Sequence, residues 1–334
     1  MSAALRIDPY GRLLPTVQKL EKILILGRCG PYILPRFQNA SESAMQKEPM
    51  QDVFASAPFL VGESTPVAPH IPAEEALCPI VSHDWVNSEY KHLVVEASAK
   101  ALAVKPGQFF NLLCPSPDAG ELWLRRPQSV YRIDAAPGRI EFLYKCVGRG
   151  TRGLATLPAG GVLNMVGPLG VGFSLDPRWK SVVVLGRGVG LATLAPISQL
   201  AGDSGVAVTA ILSARSREFV MADDLFGAVG EVISVLDSDG SSAVENVEAI
   251  LGRLIAAGRA DAFYTCGSNR LMQLMKRLGK KHGIPGQVAM EQIMACGLGP
   301  CYVCVKTFEV GGEQVLRRVC IDGPVFDLQE AVGW

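Results

Sequence analysis

The sequence predicts a multidomain fold of β and α/β type: an antiparallel barrel, then a doubly wound parallel sheet, then a small C-terminal domain. Three observations lead there. Between Cys78 and about Phe173, short β-type runs alternate with turn residues. From Ser181 onward, β-branched runs alternate with helical stretches. Near the end, four cysteines gather between Cys296 and Cys320. A chain of 334 residues also exceeds what one ordinary hydrophobic core sustains.

Composition narrows the functional classes. Hydrophobic residues make up 49% and charged residues 19%, as in a well-buried globular protein. Lys+Arg and Asp+Glu both number 32, and this balance excludes broad electrostatic capture of nucleic acid or of an anionic membrane. The start, MSAALRIDPY, lacks the charged lead and apolar core of a secretory signal. Apolar stretches such as Ile23 to Leu26 fall short of the roughly 18 residues a spanning helix needs. The expectation is a soluble, cytoplasmic chain whose 9 cysteines serve something other than disulfides.

Residues 1–76 read as an N-terminal extension. The apolar run KILILGRCGPYILPRF is broken by Gly30, Pro31 and Pro35, and the proline-spaced TPVAPHIPAEE suits extended chain. The segment is a linker or an arm that docks on a partner through the patch from Ile23 to Leu34.

Residues 77–176 form the barrel domain. Its strands are read in YKHLVVEAS, QFFNLLC, LWLRRPQSVYRID, RIEFLYKCV and GVLNMVG, with TRGLATL as a short helix. Residues 177–286 form the doubly wound domain. SVVVLG, VAVTAILS, EVISVLD and DAFYTCG suit buried parallel strands. The helices lie in LATLAPISQLA, SAVENVEAILGRLIAAG and NRLMQLMKRLGKKHG, where Leu271, Leu274, Met275 and Leu278 recur at core spacing. Residues 287–334 carry the cysteines.

Those cysteines carry the sharpest chemical signal. Cys296, Cys301 and Cys304 stand in C-x4-C-x2-C order, and Cys320 follows. This is the plant-type arrangement of four thiolates for a [2Fe-2S] cluster. Gly297 and Gly299 let the backbone turn tightly where a Cβ would crowd the inorganic sulfides. A zinc ribbon would need two paired CxxC elements, and only one such pair is present.

Three further constellations are weaker alone. Gly186, Gly188 and Gly190, with Val189, join a buried strand to a helix, where bare amides and the helix dipole suit a phosphate. Cys266, Gly267 and Ser268 close the fourth strand of the same sheet, at the end where such sheets bind ligands. In the barrel, Arg125 and Arg126 precede Pro127, Gln128 and Ser129 in the middle of a strand, suited either to a phosphate or to an exposed basic pair. Gly150 and Thr151 enter the short helix as another anion site.

Together these pieces resemble the ferredoxin-reductase superfamily, and within it the electron-transfer subunit of dihydroorotate dehydrogenase. The likeness runs from about residue 78 to the C-terminus on RRPQSV, KCVGRGTRGL, MVGPLGVGF, MEQIMACGLGPCYVC and RRVCIDGPVF. It implies an FAD-binding barrel, an NAD(P)-binding domain and a [2Fe-2S] domain, in that order. FAD would then meet Arg126, Pro127, Gln128, Ser129, Tyr144, Gly150 and Thr151. The nicotinamide nucleotide would meet the two turns just named, and Cys296, Cys301, Cys304 and Cys320 would hold iron. Arg187 stands where the family usually has a second glycine, and Thr193 where it usually has proline.

The chemistry implied is electron relay. A nicotinamide moves two electrons as hydride, a [2Fe-2S] cluster takes one, and FAD between them does both. No residue is required as general acid or base, and none is assigned as catalytic. The implied function is an oxidoreductase component that exchanges electrons with a partner flavin dehydrogenase. The alternatives are a stand-alone NAD(P)H reductase serving an oxygenase or other acceptor, and a non-enzymatic redox sensor. Arg215 and Arg217, after the second parallel strand, lean weakly towards a 2′-phosphate, whereas the family leans towards NAD.

Overall fold

The computed structural model describes residues 73–118 and 120–333. The reading of residues 1–72 as a linker or docking arm lies outside them.

The barrel is built from β1 (Glu74–Trp85), β2 (Tyr90–Glu96), α1 (Ala99–Leu102), β3 (Phe109–Leu112), β4 (Arg126–Ser129), β5 (Arg132–Asp134), β6 (Arg139–Lys145), α2 (Arg149–Leu154) and β7 (Val162–Leu169). Its strands run antiparallel in the order β4-β3-β7-β1-β2-β6-β5. β1 serves two partners: Glu74 to Pro79 pair with β7, and Ile80 to Trp85 pair with β2. The register shifts between Ile80 and Ser82, and such a bulge bends a strand and curls its sheet. The far edges meet through the chain itself. Between β4 and β5, the Val130 amide donates to the Gln108 carbonyl (3.3 Å) and the Tyr131 amide to the Glu141 carbonyl (2.8 Å).

Inside the barrel lie Leu93, Val95, Phe110, Leu112, Ile140, Phe142, Tyr144 and Leu163, at the two-residue period that strands impose. β1 escapes the sequence reading because EEALCPIVSHDW has no clean alternation. RRPQS is corrected as well: β4 begins at Arg126, so Arg125 precedes the strand instead of lying within it.

The second sheet uses β8 (Ser181–Arg187), β9 (Ala207–Ala214), β10 (Gly230–Leu236), β11 (Ala262–Cys266) and β12 (Gly286–Ala289), joined by α3 (Gly190–Asp203), α4 (Asp223–Val229), α5 (Val244–Ala256) and α6 (Asn269–His282). The parallel order is β10-β9-β8-β11-β12, so the winding reverses between β8 and β11. Leu271, Leu274, Met275 and Leu278 are buried core residues of α6.

The C-terminal segment forms a hairpin of β13 (Val305–Val310) and β14 (Glu313–Arg318) around Gly311 and Gly312, both with φ in the left-handed region as a two-residue turn demands. The chain then returns as β15 (Val325–Asp327), an antiparallel sixth strand against β12. The cysteine loop is thereby tied at both ends to the edge of the second sheet. Among the described residues, no helix is long and apolar enough to cross a membrane.

Candidate functional site

Three groups of candidate residues lie at the junctions of these sheets. On the barrel, Arg125 and Arg126 separate into different tasks. Arg125 is spent on structure: its guanidinium reaches Glu75 Oε1 and Asn164 Oδ1, each at 2.7 Å. Arg126 meets the Leu124 carbonyl at 2.5 Å, and no carboxylate pairs with it among the described residues. It lies against Gly150 at the start of α2, where a Cβ would collide with Nε. Thr151 shapes that start, since its Oγ1 accepts from the amides of Val147 (3.0 Å) and Gly148 (3.1 Å). An uncompensated guanidinium over a glycine-opened helix start is chemically suited to a phosphate.

Pro127, Gln128 and Ser129 are each half-buried in β4. Pro127 lies opposite Asn111, and Ser129 opposite Phe109. Opposed residues share a sheet face, and Phe110 and Leu112 point into the barrel, so Asn111, Phe109, Pro127 and Ser129 occupy the outer face. Tyr144 does not join this group. Its ring is buried in the barrel core and its hydroxyl is 2.8 Å from His83 Nε2, so only its main chain is left for the cofactor contact the sequence suggested.

Two glycine-rich turns meet where the winding reverses, the position at which such sheets offer a ligand crevice. Gly186 on β8 is in register with Cys266 on β11. The following turns interlock without side chains. A Cβ on Gly190 would stand 2.6 Å from the Cys266 carbonyl group, and one on Gly267 would collide with the Arg187 carbonyl. Gly188 and Gly267 take φ of +55° and +88°. Ser268 then stands at the N-cap position of α6, with no side-chain capping bond, and Val189 precedes α3. Burial first, then the Glu291 carboxylate, push the Cys266 thiol up, while the Thr193 hydroxyl beside it acts the other way. Cys266 is therefore a buried, neutral thiol at the carboxyl end of β11.

Arginines rim this crevice. Arg187 makes a two-pronged pair with Asp237, at 3.1 and 2.5 Å, and also donates to Ser213 Oγ. That pair and the Ser242 hydroxyl hold the Asp237 carboxyl down at about 2. Arg215 reaches Glu89 Oε1 at 2.5 Å and stacks on Phe219, 4.2 Å from its centroid. Arg217 pairs with Asp223 at 3.3 Å. Both arginines that suggested a 2′-phosphate already have carboxylate partners.

The cysteine loop follows β12. Gly297, Gly299 and Tyr302 all have φ in the left-handed region, which wraps the loop tightly. Cys304 and Cys320 are buried, Cys296 is half-buried and Cys301 is exposed. Backbone amides point at the sulfurs: Leu298 donates to Cys296 Sγ (3.3 Å) and Cys320 to Cys304 Sγ (3.4 Å). The amides of Val303 and Cys296, with the Cys296 thiol, bring the Cys301 thiol down to about 7. Burial and the Cys304 and Cys296 sulfurs push Cys320 up to about 12.

Electrostatics link the Cys301 thiol to Cys296, and the Cys320 thiol to Cys304 and Cys296. Among the described residues, no three His, Cys, Asp or Glu side chains converge as a mononuclear centre requires. Four cysteines in this loop and its return, with amide donors at two of the sulfurs, would suit a dinuclear iron-sulfur cluster.

Sequence reasoning missed Asn111, whose Nδ2 donates to the Cys296 carbonyl at 3.2 Å. The available signal was one amide side chain inside the apolar run FFNLLC. It also missed Glu89 and Asp237, the partners of the rim arginines.

Comparison with known proteins shows the family and the fold. Residues 291–332 match the family model for the iron-sulfur cluster binding domain of dihydroorotate dehydrogenase B. The chain is 34% identical over 265 residues to the dihydroorotate dehydrogenase B (NAD(+)) electron transfer subunit of Enterococcus faecalis, covering 78% of this chain and 98% of that one. The corresponding subunit of Desulforamulus reducens is 30% identical over 228 residues, covering 68% and 86%. Among solved structures, the NADH-dependent reduced ferredoxin-NADP oxidoreductase aligns with a TM-score of 0.65 at 26% identity, over 76% of this chain and 89% of that one. The ferredoxin reductase of carbazole 1,9a-dioxygenase shares the fold, with a TM-score of 0.52 at 19% identity over 64% and 67%. On its sequence, its two-sheet architecture and its cysteine loop, this chain belongs to the family of dihydroorotate dehydrogenase B electron transfer subunits.

Proposed function

We propose that this chain is the NAD-linked electron transfer subunit of a dihydroorotate dehydrogenase of the B type, exchanging electrons with a catalytic flavoprotein partner. The domain limits 177–286 and 287–334 belong to the same reading, with the barrel running to 176 from Glu74, where β1 begins, in place of 77, and with a cytoplasmic location in which the cluster thiolates stay reduced. When bound, FAD supplies the exchange between the two-electron chemistry of NAD(H) and the one-electron chemistry of the cluster.

The chain's own residues prepare each station. Arg126 and the start of α2, with Gly150 and Thr151, hold phosphate charge, while Pro127 and Ser129 offer the outer face of β4 and half-buried Gln128 stands between them on the opposite face. Gly186, Gly188, Val189 and Gly190, with Gly267 and Ser268, open the crevice for a dinucleotide, and neutral Cys266 excludes water from its floor. Cys296, Cys301, Cys304 and Cys320 hold the cluster. Around exposed Cys301, the side chains of Ile293, Leu298, Tyr302 and Val303 are also exposed, an apolar rim suited to a partner surface. NAD is favoured over NADP because Arg215 and Arg217 are already neutralised.

The observation that carries this reading is the continuity between stations. Ser129 lies opposite Phe109, and Phe109 packs in the same apolar cluster as Cys304 and Cys320. The test is anaerobic purification of the full chain, with assay of extracted flavin, iron and acid-labile sulfide, and reduction of a dye by NADH and by NADPH. FAD, paired iron and sulfide, and faster turnover with NADH are expected. A flavin-free, iron-free chain would end the reading.

A further inference from the structure

Asn111 sits in the middle of β3, 2% exposed, between two apolar neighbours that fill the barrel core. Its Nδ2 donates across the domain junction to the carbonyl of Cys296, 185 residues later in the chain. That carbonyl can only accept, so the amide orientation is fixed and Oδ1 faces the other way. Oδ1 is buried and has no hydrogen-bond partner among the described residues. Leaving a buried acceptor unpaired is costly, and an apolar side chain of similar shape would avoid that cost. The asparagine is therefore not explained by stability.

Its position suggests a different use. Asn111 shares the outer sheet face with Pro127 and Ser129, the face assigned above to the flavin. On the other side it touches the loop that carries the first cluster ligand. Gly297, next to that ligand, has room for no side chain, because a Cβ there would collide with Nδ2 of Asn111. The contact thus fixes the main chain on both sides of the Cys296–Gly297 peptide.

We propose that Asn111 is a positioning residue for electron transfer. It locks the Cys296 main chain against the flavin-bearing sheet, and through that lock it sets the cluster's electronic environment and its coupling to the flavin. The inference rests on the function proposed above. Asn111 acts through Cys296 and exchanges no electron itself.

The test uses the anaerobically purified full chain and two variants. Asn111→Leu keeps approximate shape and removes both polar groups. Asn111→Asp keeps the acceptor, loses the donor and adds charge. The readouts are the EPR spectrum and midpoint potential of the reduced cluster, and stopped-flow rates for NADH-to-flavin and flavin-to-cluster transfer. Asn111→Leu should retain FAD and the NADH-to-flavin rate, alter the cluster's g-values, and slow flavin-to-cluster transfer by about tenfold, as a small misplacement of a reacting centre does. Asn111→Asp should lower the midpoint potential, because added negative charge disfavours reduction. Should Asn111→Leu not fold, Asn111→Asp carries the test alone. A wild-type EPR spectrum, potential and transfer rate in the folded variants would overturn the inference and leave the proposed function standing. A wild-type chain with no cluster signal would overturn both.

Discussion

Arg126 lies directly against Gly150, so closely that a methyl group on the glycine would collide with the arginine Nε. The relationship joins two stretches of the barrel domain that are remote in sequence, and it distinguishes Arg126 from its neighbour Arg125, which is bound to Glu75. If this pair cradles a phosphate of FAD, Gly150→Ala should displace the guanidinium. Arg126→Gln should remove its charge. Each variant is expected to release FAD about tenfold more readily, the scale of one charge-assisted hydrogen bond. Fluorescence of released flavin on dilution measures this, and Arg125→Gln serves as the control that retains it.

The crevice prediction concerns Gly190. A Cβ there would press to 2.6 Å on the Cys266 carbonyl group, closing the gap between the two turns. Gly190→Ala should therefore raise the KM for NADH by about tenfold or more, while flavin and cluster content stay unchanged. Steady-state dye reduction combined with iron and flavin assays separates these effects. Unaltered NADH kinetics would place the nucleotide elsewhere.

Nucleotide choice should respond to Glu89. This carboxylate holds Arg215 at 2.5 Å and Lys145 at 2.9 Å, and both cations keep its pKa below the ordinary value. Glu89→Gln frees the Arg215 guanidinium beside the end of β9, where adenosine riboses rest in doubly wound sheets. Turnover with NADPH should rise relative to NADH by roughly threefold, a modest effect in keeping with a solvent-screened pair. The ratio of the two kcat/KM values is the readout.

The barrel should lose stability in mild acid through His83. The ring is buried, with Nδ1 2.8 Å from the Leu157 carbonyl and Nε2 2.8 Å from the Tyr144 hydroxyl. Burial lowers its pKa below the ordinary 6.5, so the unfolded chain binds the proton first. Stability from this group is complete above the unfolded pKa and declines as pH falls below it towards the folded pKa. Melting curves of the full chain at successive pH values should show that decline, and His83→Asn should flatten it.

How much of this the sequence revealed depends on the range of each interaction. The cluster ligands are legible because Cys296, Cys301 and Cys304 are local and their chemistry is carried by the side chains themselves. The parallel strands are legible because SVVVLG and DAFYTCG are buried on both faces and have no polar alternation. β1 was hidden because its strand pairs with β7 along one half and β2 along the other, which erases a simple pattern. Arg125 and Arg126 look equivalent in sequence, and only the placement of Glu75, 50 residues earlier, tells them apart. The burial of the Tyr144 side chain is hidden for the same reason, since its partner His83 lies 61 residues away. The Asn111 contact with Cys296 spans 185 residues, and no local rule reaches that far.

The central claim is that NADH, flavin and cluster form one electron path within this chain. An anaerobic titration of the purified full chain with NADH, followed by absorbance and EPR, tests it most directly. The account predicts bleaching of the flavin together with a [2Fe-2S] EPR signal that grows in step with added NADH. Flavin reduction with no cluster signal, or a cluster reducible by dithionite but silent to NADH, would contradict it.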